Sequence, residues 1–195
     1  MAHKDKEKKG RLIALEGTRG SDLEAAAHRV LRRVTDGKEQ GGVSRWDASN
    51  TFYEMRLRKP KSLRPSPRTL LLLYAYDLSF RLRWEIRPAL EEGLSVVAAP
   101  YLETAMAFGE ATGVPRRWMT EMFSFAPKPT ACFRLKEKKK GGGNPKASEG
   151  FIEFCLAMLS AISPSWDPKE LRQGCLKYLE DLDKRQGCQR LSKKF

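Results

Sequence analysis

The chain has 195 residues, of which 41% are hydrophobic, 31% charged and 9% aromatic. That length suits one domain able to bury roughly 70% of its unfolded surface, and the composition excludes collagen-like, mucin-like and wholly disordered chains. Thirty-seven Lys and Arg against 24 Asp and Glu leave a net charge of +13, which implies affinity for phosphate, nucleic acid or a membrane surface without choosing among them.

Residues 1–10 (MAHKDKEKKG) mix charges of both signs and read as a flexible tail, without the apolar stretch of a secretory signal. No run approaches the ~18 apolar residues of a membrane helix, so a cytoplasmic protein without a membrane span is expected. Cys132, Cys155, Cys175 and Cys188 form no C-x-x-C pair, and His3 and His28 lie far from them in sequence. That spacing argues against a zinc site and leaves reduced thiols as the default.

Arg11–Leu15 is an apolar run of the length of a buried parallel strand. It meets Glu16-Gly-Thr-Arg-Gly-Ser-Asp22, a glycine turn in which Ser21 or Asp22 can cap a helix. Leu23, Ala26, Ala27, Val30, Leu31 and Val34 then recur at helical spacing. Residues 35–42 read as a polar loop and 43–46 as a weak strand. Residues 56–68 (RLRKPKSLRPSPR) carry six basic residues and three prolines and read as an exposed loop. The pattern predicts a long central helix over 69–87, a bend near Pro88, and a second buried strand over 94–98. Helices over 101–109 and 115–125 precede a third clear strand over 130–135. Residues 136–150 (KEKKKGGGNPKASEG) read as a flexible basic loop. Helices over 151–162 and 171–182 follow, then a basic tail over 184–195, with no good strand after 151. Alternating strands and helices argue an α/β fold with a mostly parallel sheet. The expected organisation is a tail over 1–10, one α/β domain over 11–183 and a C-terminal tail.

A strand, glycine turn and helix together form the setting of a phosphate-binding loop. Ala14-Leu-Glu-Gly-Thr-Arg-Gly-Ser21 resembles the thymidylate kinase version of that loop. Leu70-Leu-Leu-Leu-Tyr-Ala-Tyr-Asp77 resembles the family's leucine-rich helix, and Glu85–Val97 the stretch that leads into its third strand. Tyr101 falls where the family's Asp-Arg-Tyr motif ends, and Pro129-Thr130 resembles the start of the next strand. The resemblance covers roughly residues 11–135. It implies a three-layer P-loop NTPase-like α/β fold with a sheet of about 4–5 strands flanked by helices. It also implies a remnant phosphate site at Gly17, Thr18, Arg19, Gly20 and Ser21, and pocket residues at Tyr74, Asp77 and Tyr101.

The departures bear on function. Where the family's loop ends Gly-Lys-Ser/Thr, this chain has Asp22, Leu23 and Glu24. Arg19 replaces an acidic loop residue, Ala99-Pro100 replaces Asp-Arg, and Leu78 replaces the arginine of the stacking helix. Phosphoryl transfer is largely positioning and charge neutralisation, and losing a single preorganised donor can cost about 10²–10³ in rate. The expectation is therefore a thymidylate-kinase-like pseudokinase with no catalytic residue and no metal ligand, acting through nucleotide, anion or protein binding. A homodimer is implied by the resemblance alone. One alternative is an active dTMP kinase using ATP and magnesium. The other is a basic nucleic-acid-binding protein. Bland readings stand beside each candidate: Gly17 and Gly20 as a plain turn, Arg19 as an exposed arginine, Tyr74 as core, and Asp77 as a helix-surface charge. Tyr101 reads equally as pocket lining or as packing under a loop.

Overall fold

The computed structural model describes residues 10–37, 41–58, 64–136, 149–185 and 189–190. Most of the tail over 1–10, the lysine-glycine stretch over 137–148 and the last five residues lie outside them. Five strands form one parallel sheet in the order β2-β3-β1-β4-β5. They are β1 (Arg11–Glu16), β2 (Gly41–Arg45), β3 (Ser95–Ala99), β4 (Ala131–Arg134) and β5 (Gln189–Arg190). β1 and β3 lie at the centre and are covered on both faces, which is why they read as unbroken apolar runs.

Alternation along β1 sends its side chains into two cores. Ile13 and Leu15 join Val97 and Ala99 under α1 (Gly20–Val34), whose Leu23, Ala26, Ala27 and Val30 are buried. Leu12 and Ala14 join Val96 and Ala98 in the larger core on the other face. That core is built from α3 (Pro67–Arg81), α5 (Leu102–Ala111), α7 (Phe151–Ile162) and α8 (Pro168–Arg185). The short helices α2 (Thr51–Leu57) and α6 (Arg116–Met122) add Phe52 and Met119. The result is the three-layer α/β arrangement expected.

Ser66 caps α3 by accepting from the Thr69 N–H at 3.2 Å, and Pro67 occupies the first turn, where no N–H is needed. The helix continues through a π-helical turn (Leu82–Ile86) into α4 (Arg87–Glu91). The Arg87 N–H reaches back five residues to the Leu82 carbonyl. Pro88 has no N–H to continue the regular ladder, so the predicted bend is absorbed as a wider turn.

Three expectations are corrected. The segment read as a loop from 56 begins inside α2, which ends at Leu57. A strand does follow residue 151, because Gln189 and Arg190 pair with Phe133 and Arg134 of β4 within the stretch read as tail. The thiols are not all reduced: Cys132 is disulfide-bonded, whereas Cys155 and Cys175 are free and buried. Sequence spacing carries no information on which cysteines meet.

Candidate functional site

Three residues, Gly17, Thr18 and Arg19, connect β1 to α1. The Leu23 N–H closes the first helical turn on the Arg19 carbonyl at 3.1 Å. Leu23, the residue in the family's lysine position, is 2% exposed. Its side chain lies under the loop, close enough that a Cβ on Gly17 would stand 3.4 Å from Leu23 Cδ2. The residue in the lysine position is thus part of the core under α1. Glu24, in the hydroxyl position, is ion-paired with Arg45 at the end of β2. Asp22 stands 4.0 Å from Arg19. The Gly17 N–H donates to Thr104 Oγ1 at 3.2 Å, and the Gly20 N–H donates to the Glu153 carboxylate at 3.0 Å. Thr18 is buried and Ser21 half-buried.

Glu16, at the end of β1, is fully buried beneath the start of α5. Its carboxylate accepts from the backbone N–H groups of Tyr101 (3.3 Å), Glu103 (3.1 Å) and Thr104 (3.0 Å), and from Thr104 Oγ1 (2.6 Å). These are the donors a helix N-terminus leaves unpaired, so Glu16 is an N-terminal cap supplied by another element. Burial pushes its pKa up to about 7 despite those donors, and neighbouring Glu103 adds to the rise. Burial also raises Glu103, whose carboxylate accepts from the Tyr178 hydroxyl at 2.8 Å. Tyr101 is buried and donates its hydroxyl to the Pro127 carbonyl at 2.7 Å. A cavity of about 690 Å³ lies here, lined by Glu16, Tyr101, Glu103, Lys128 and Cys132 among others.

Tyr74 is fully buried and donates to the Tyr101 carbonyl. Its ring packs at a tilt against that of Phe151 at the start of α7, 4.5 Å between centroids, as the core reading of Tyr74 expects. Phe151 continues into a cluster with Trp46, Phe52 and Phe154, with ring centroids 5.0–6.1 Å apart. Asp77 corrects the surface-charge reading: it is fully buried and accepts from the Asp47 and Ser49 N–H groups, both at 3.0 Å, and from Ser49 Oγ at 2.9 Å. It fixes the turn after β2. Within that turn Asp47 accepts from the Phe52 and Tyr53 N–H groups, both at 2.8 Å, at the start of α2.

Sequence reasoning missed Arg81, which is fully buried. Its guanidinium donates to Ser44 Oγ, the Ser44 carbonyl and the Pro100 carbonyl, each at 2.9 Å, and so ties the ends of β2 and β3 together. Ser44 Oγ donates in turn to Glu85 at 2.6 Å. Among the described residues Arg81 Nη1 finds no hydrogen-bond partner. The available signal was spacing, because Arg81 follows Asp77 by four positions and Tyr74 by seven, on one helix face.

The predicted residues do not converge on one cavity. A space of about 350 Å³ between α1, β2 and β3 is lined by Gly20, Leu23, Arg45, Asp47, Glu85 and Pro100 among others. Tyr101 lines the larger cavity, and Tyr74 and Asp77 line neither of these two. Among the described residues no group of three or more His, Cys, Asp or Glu is placed to hold a metal ion, and no helix is long and apolar enough to cross a membrane.

A parallel sheet of this order, with a glycine turn leading from the central first strand into a helix, defines a P-loop NTPase-like domain. The chain is, more narrowly, thymidylate-kinase-like. It is 28% identical over 128 residues to a probable thymidylate kinase 2 of Saccharolobus solfataricus, covering 66% of this chain and 60% of that protein. It is 38% identical over 90 residues to a probable thymidylate kinase of Pyrococcus abyssi, covering 43% of this chain and 44% of that protein. The matches thus span about half the length of these relatives. The crystal structure of thymidylate kinase from Ehrlichia chaffeensis has the same fold, with a TM-score of 0.66 at 12% identity over 94% of this chain and 86% of that one. No protein-family model matches the chain.

Proposed function

We propose that this chain keeps the thymidylate kinase fold without phosphoryl transfer and acts through binding, either of an anion at the remnant loop or of a protein partner. Leu23 carries this reading. It is packed in the core between α1 and the sheet where the loop's chemistry needs a mobile cation. The loop does not fit the magnesium ion of a bound nucleotide, because Glu24 replaces the hydroxyl and is engaged by Arg45.

A second copy of the chain is the partner we favour, seated on the outer face of α3. Leu72, Tyr76 and Trp84 are 53%, 57% and 62% exposed along that helix and its π-helical extension, and a run of large apolar side chains left in water is the usual mark of an interface. Nucleic acid has less support. Among the described residues Arg19, Arg45, Arg56, Arg116, Arg117 and Arg172 each lie within 4.0 Å of a carboxylate, which offsets their charge locally.

Calorimetric titration with ATP and with dTMP, with and without magnesium, paired with an assay for ADP release, tests the activity. No magnesium-dependent binding and no ADP release are expected. Magnesium-dependent binding of both nucleotides with ADP release would overturn the proposal and favour the kinase alternative. Sedimentation equilibrium tests the pairing: a dimer that Tyr76→Glu converts to monomer is expected, and a monomeric wild type refutes it.

A further inference from the structure

Residues 149–153 sit across the start of α1. The Glu153 carboxylate accepts from the Gly150 N–H at 2.9 Å, which caps α7, and from the Gly20 N–H at 3.0 Å, which belongs to α1. One oxygen thus serves two helix starts. The backbones are in close contact: a Cβ on Gly150 would lie 2.7 Å from the Gly20 nitrogen and 2.9 Å from its Cα. The same segment is fastened at its other end. Trp46 Nε1 donates to the Glu149 carbonyl at 2.9 Å, and Arg56 pairs with the Glu149 carboxylate. Arg172 of α8 lies 3.9 Å from Glu153. Phe151, between the two glutamates, is 1% exposed and packs on Tyr74.

We propose that residues 149–153 form an autoinhibitory strap, in which Glu153 stands as a tethered anion on the first amide of α1 and keeps phosphate out of the loop. A carboxylate at a helix N-terminus satisfies the same unpaired donors and the same positive end of the dipole that a phosphate would. Because it is part of the chain, it competes at a high effective concentration. A free anion then reaches the loop only after Glu153 leaves Gly20, which also loosens the start of α7 over the aromatic cluster. This inference rests on the reading of the loop as a remnant anion site and names what controls it.

Two variants open the strap by different means. Glu153→Gln removes the charge and keeps an acceptor for Gly150. Gly150→Ala leaves every charge in place and drives a methyl group into the Gly20 backbone. Wild type and both variants are titrated calorimetrically with inorganic tripolyphosphate, while thermal melts establish that each is folded and hydrogen exchange follows the Gly20 amide. Both variants should bind tripolyphosphate roughly tenfold more tightly than wild type, with faster exchange at Gly20 in the absence of the anion. Wild type binding as tightly as the variants would overturn the proposal, and so would folded variants that gain no affinity. Turnover of dTMP by wild type would instead refute the inactive reading of the loop, so the two failures are distinguishable.

Discussion

Replacing Leu23 by lysine restores the residue type that the phosphate loops of this fold use, and it should cost stability without restoring turnover. Leu23 is 2% exposed and packs with Ile13, Leu15, Ala26, Ala27 and Val30 between α1 and the sheet. Losing a buried leucine side chain costs roughly 2–5 kcal/mol. Lysine keeps a hydrocarbon stem and recovers part of that loss, but its ammonium group must either stay unpaired under the loop or force its way out past Gly17. We expect a net loss of about 2–4 kcal/mol, which for a domain of this size lowers Tm by roughly 5–15 °C. Urea denaturation gives the free energy, and an ADP-release assay with ATP and dTMP on the same preparation gives the activity. A Leu23→Lys variant as stable as wild type that phosphorylates dTMP would refute the reasoning, because the leucine would then be a simple replacement in an otherwise competent loop.

Asp77→Ala leaves two backbone N–H groups and a hydroxyl of the turn after β2 without their acceptor; a loss of about 2–4 kcal/mol is expected by chemical denaturation, and a change below about 0.5 kcal/mol would show that the turn is held by other contacts. Burial raises Glu16 from 4.5 to about 7 in the folded chain, so the folded state holds its proton more tightly than the unfolded state. The resulting stabilisation, at most about 3 kcal/mol, is complete below the unfolded value of 4.5 and is lost as pH rises to about 7. Glu16→Gln should flatten the stability profile across that window, and an unchanged slope in pH-dependent urea melts would rule this out. At Gly41 an added Cβ would run into the Ser95 carbonyl oxygen of β3, so Gly41→Ala should lower stability by roughly 1–3 kcal/mol, read as a shift in the urea midpoint. A neutral result would mean that β2 slides freely along β3.

Much of the fold was legible because its central strands and longer helices carry their own periodicity. The apolar runs at β1 and β3 and the helical spacing of Leu23 to Val34 each correspond to one element. α2 was illegible because its seven residues run directly into the proline-rich basic stretch, which dominates any window placed across it. β5 was illegible because two polar residues carry no alternation, and its pairing is with the β4 backbone. In the candidate site, the glycine turn announced Gly17 to Ser21, and counting along it put Leu23 in the lysine position. What sits on the turn was beyond local reasoning: Glu153 is 133 positions from Gly20. Asp77 and Arg81 share a single cause of error, since a charged residue on a leucine-rich helix normally faces solvent. Here both turn inward because the ends of β2 and β3 offer backbone groups that need partners.

The sheet order has a consequence for the chain as it leaves the ribosome. β1 is made first, yet its neighbours are β3, with Arg11 opposite Ser95, and β4, with Ile13 opposite Ala131. No sequential hairpin can shelter it in the interval. The nascent strand must wait, apolar and with both edges open, while residues 17–94 are translated, and its second edge stays open until β4 follows. Such exposure favours aggregation and slow folding, and the basic residues that precede and follow the strand (Lys8, Lys9, Arg11 and Arg19) are well placed as gatekeepers against self-association during that wait.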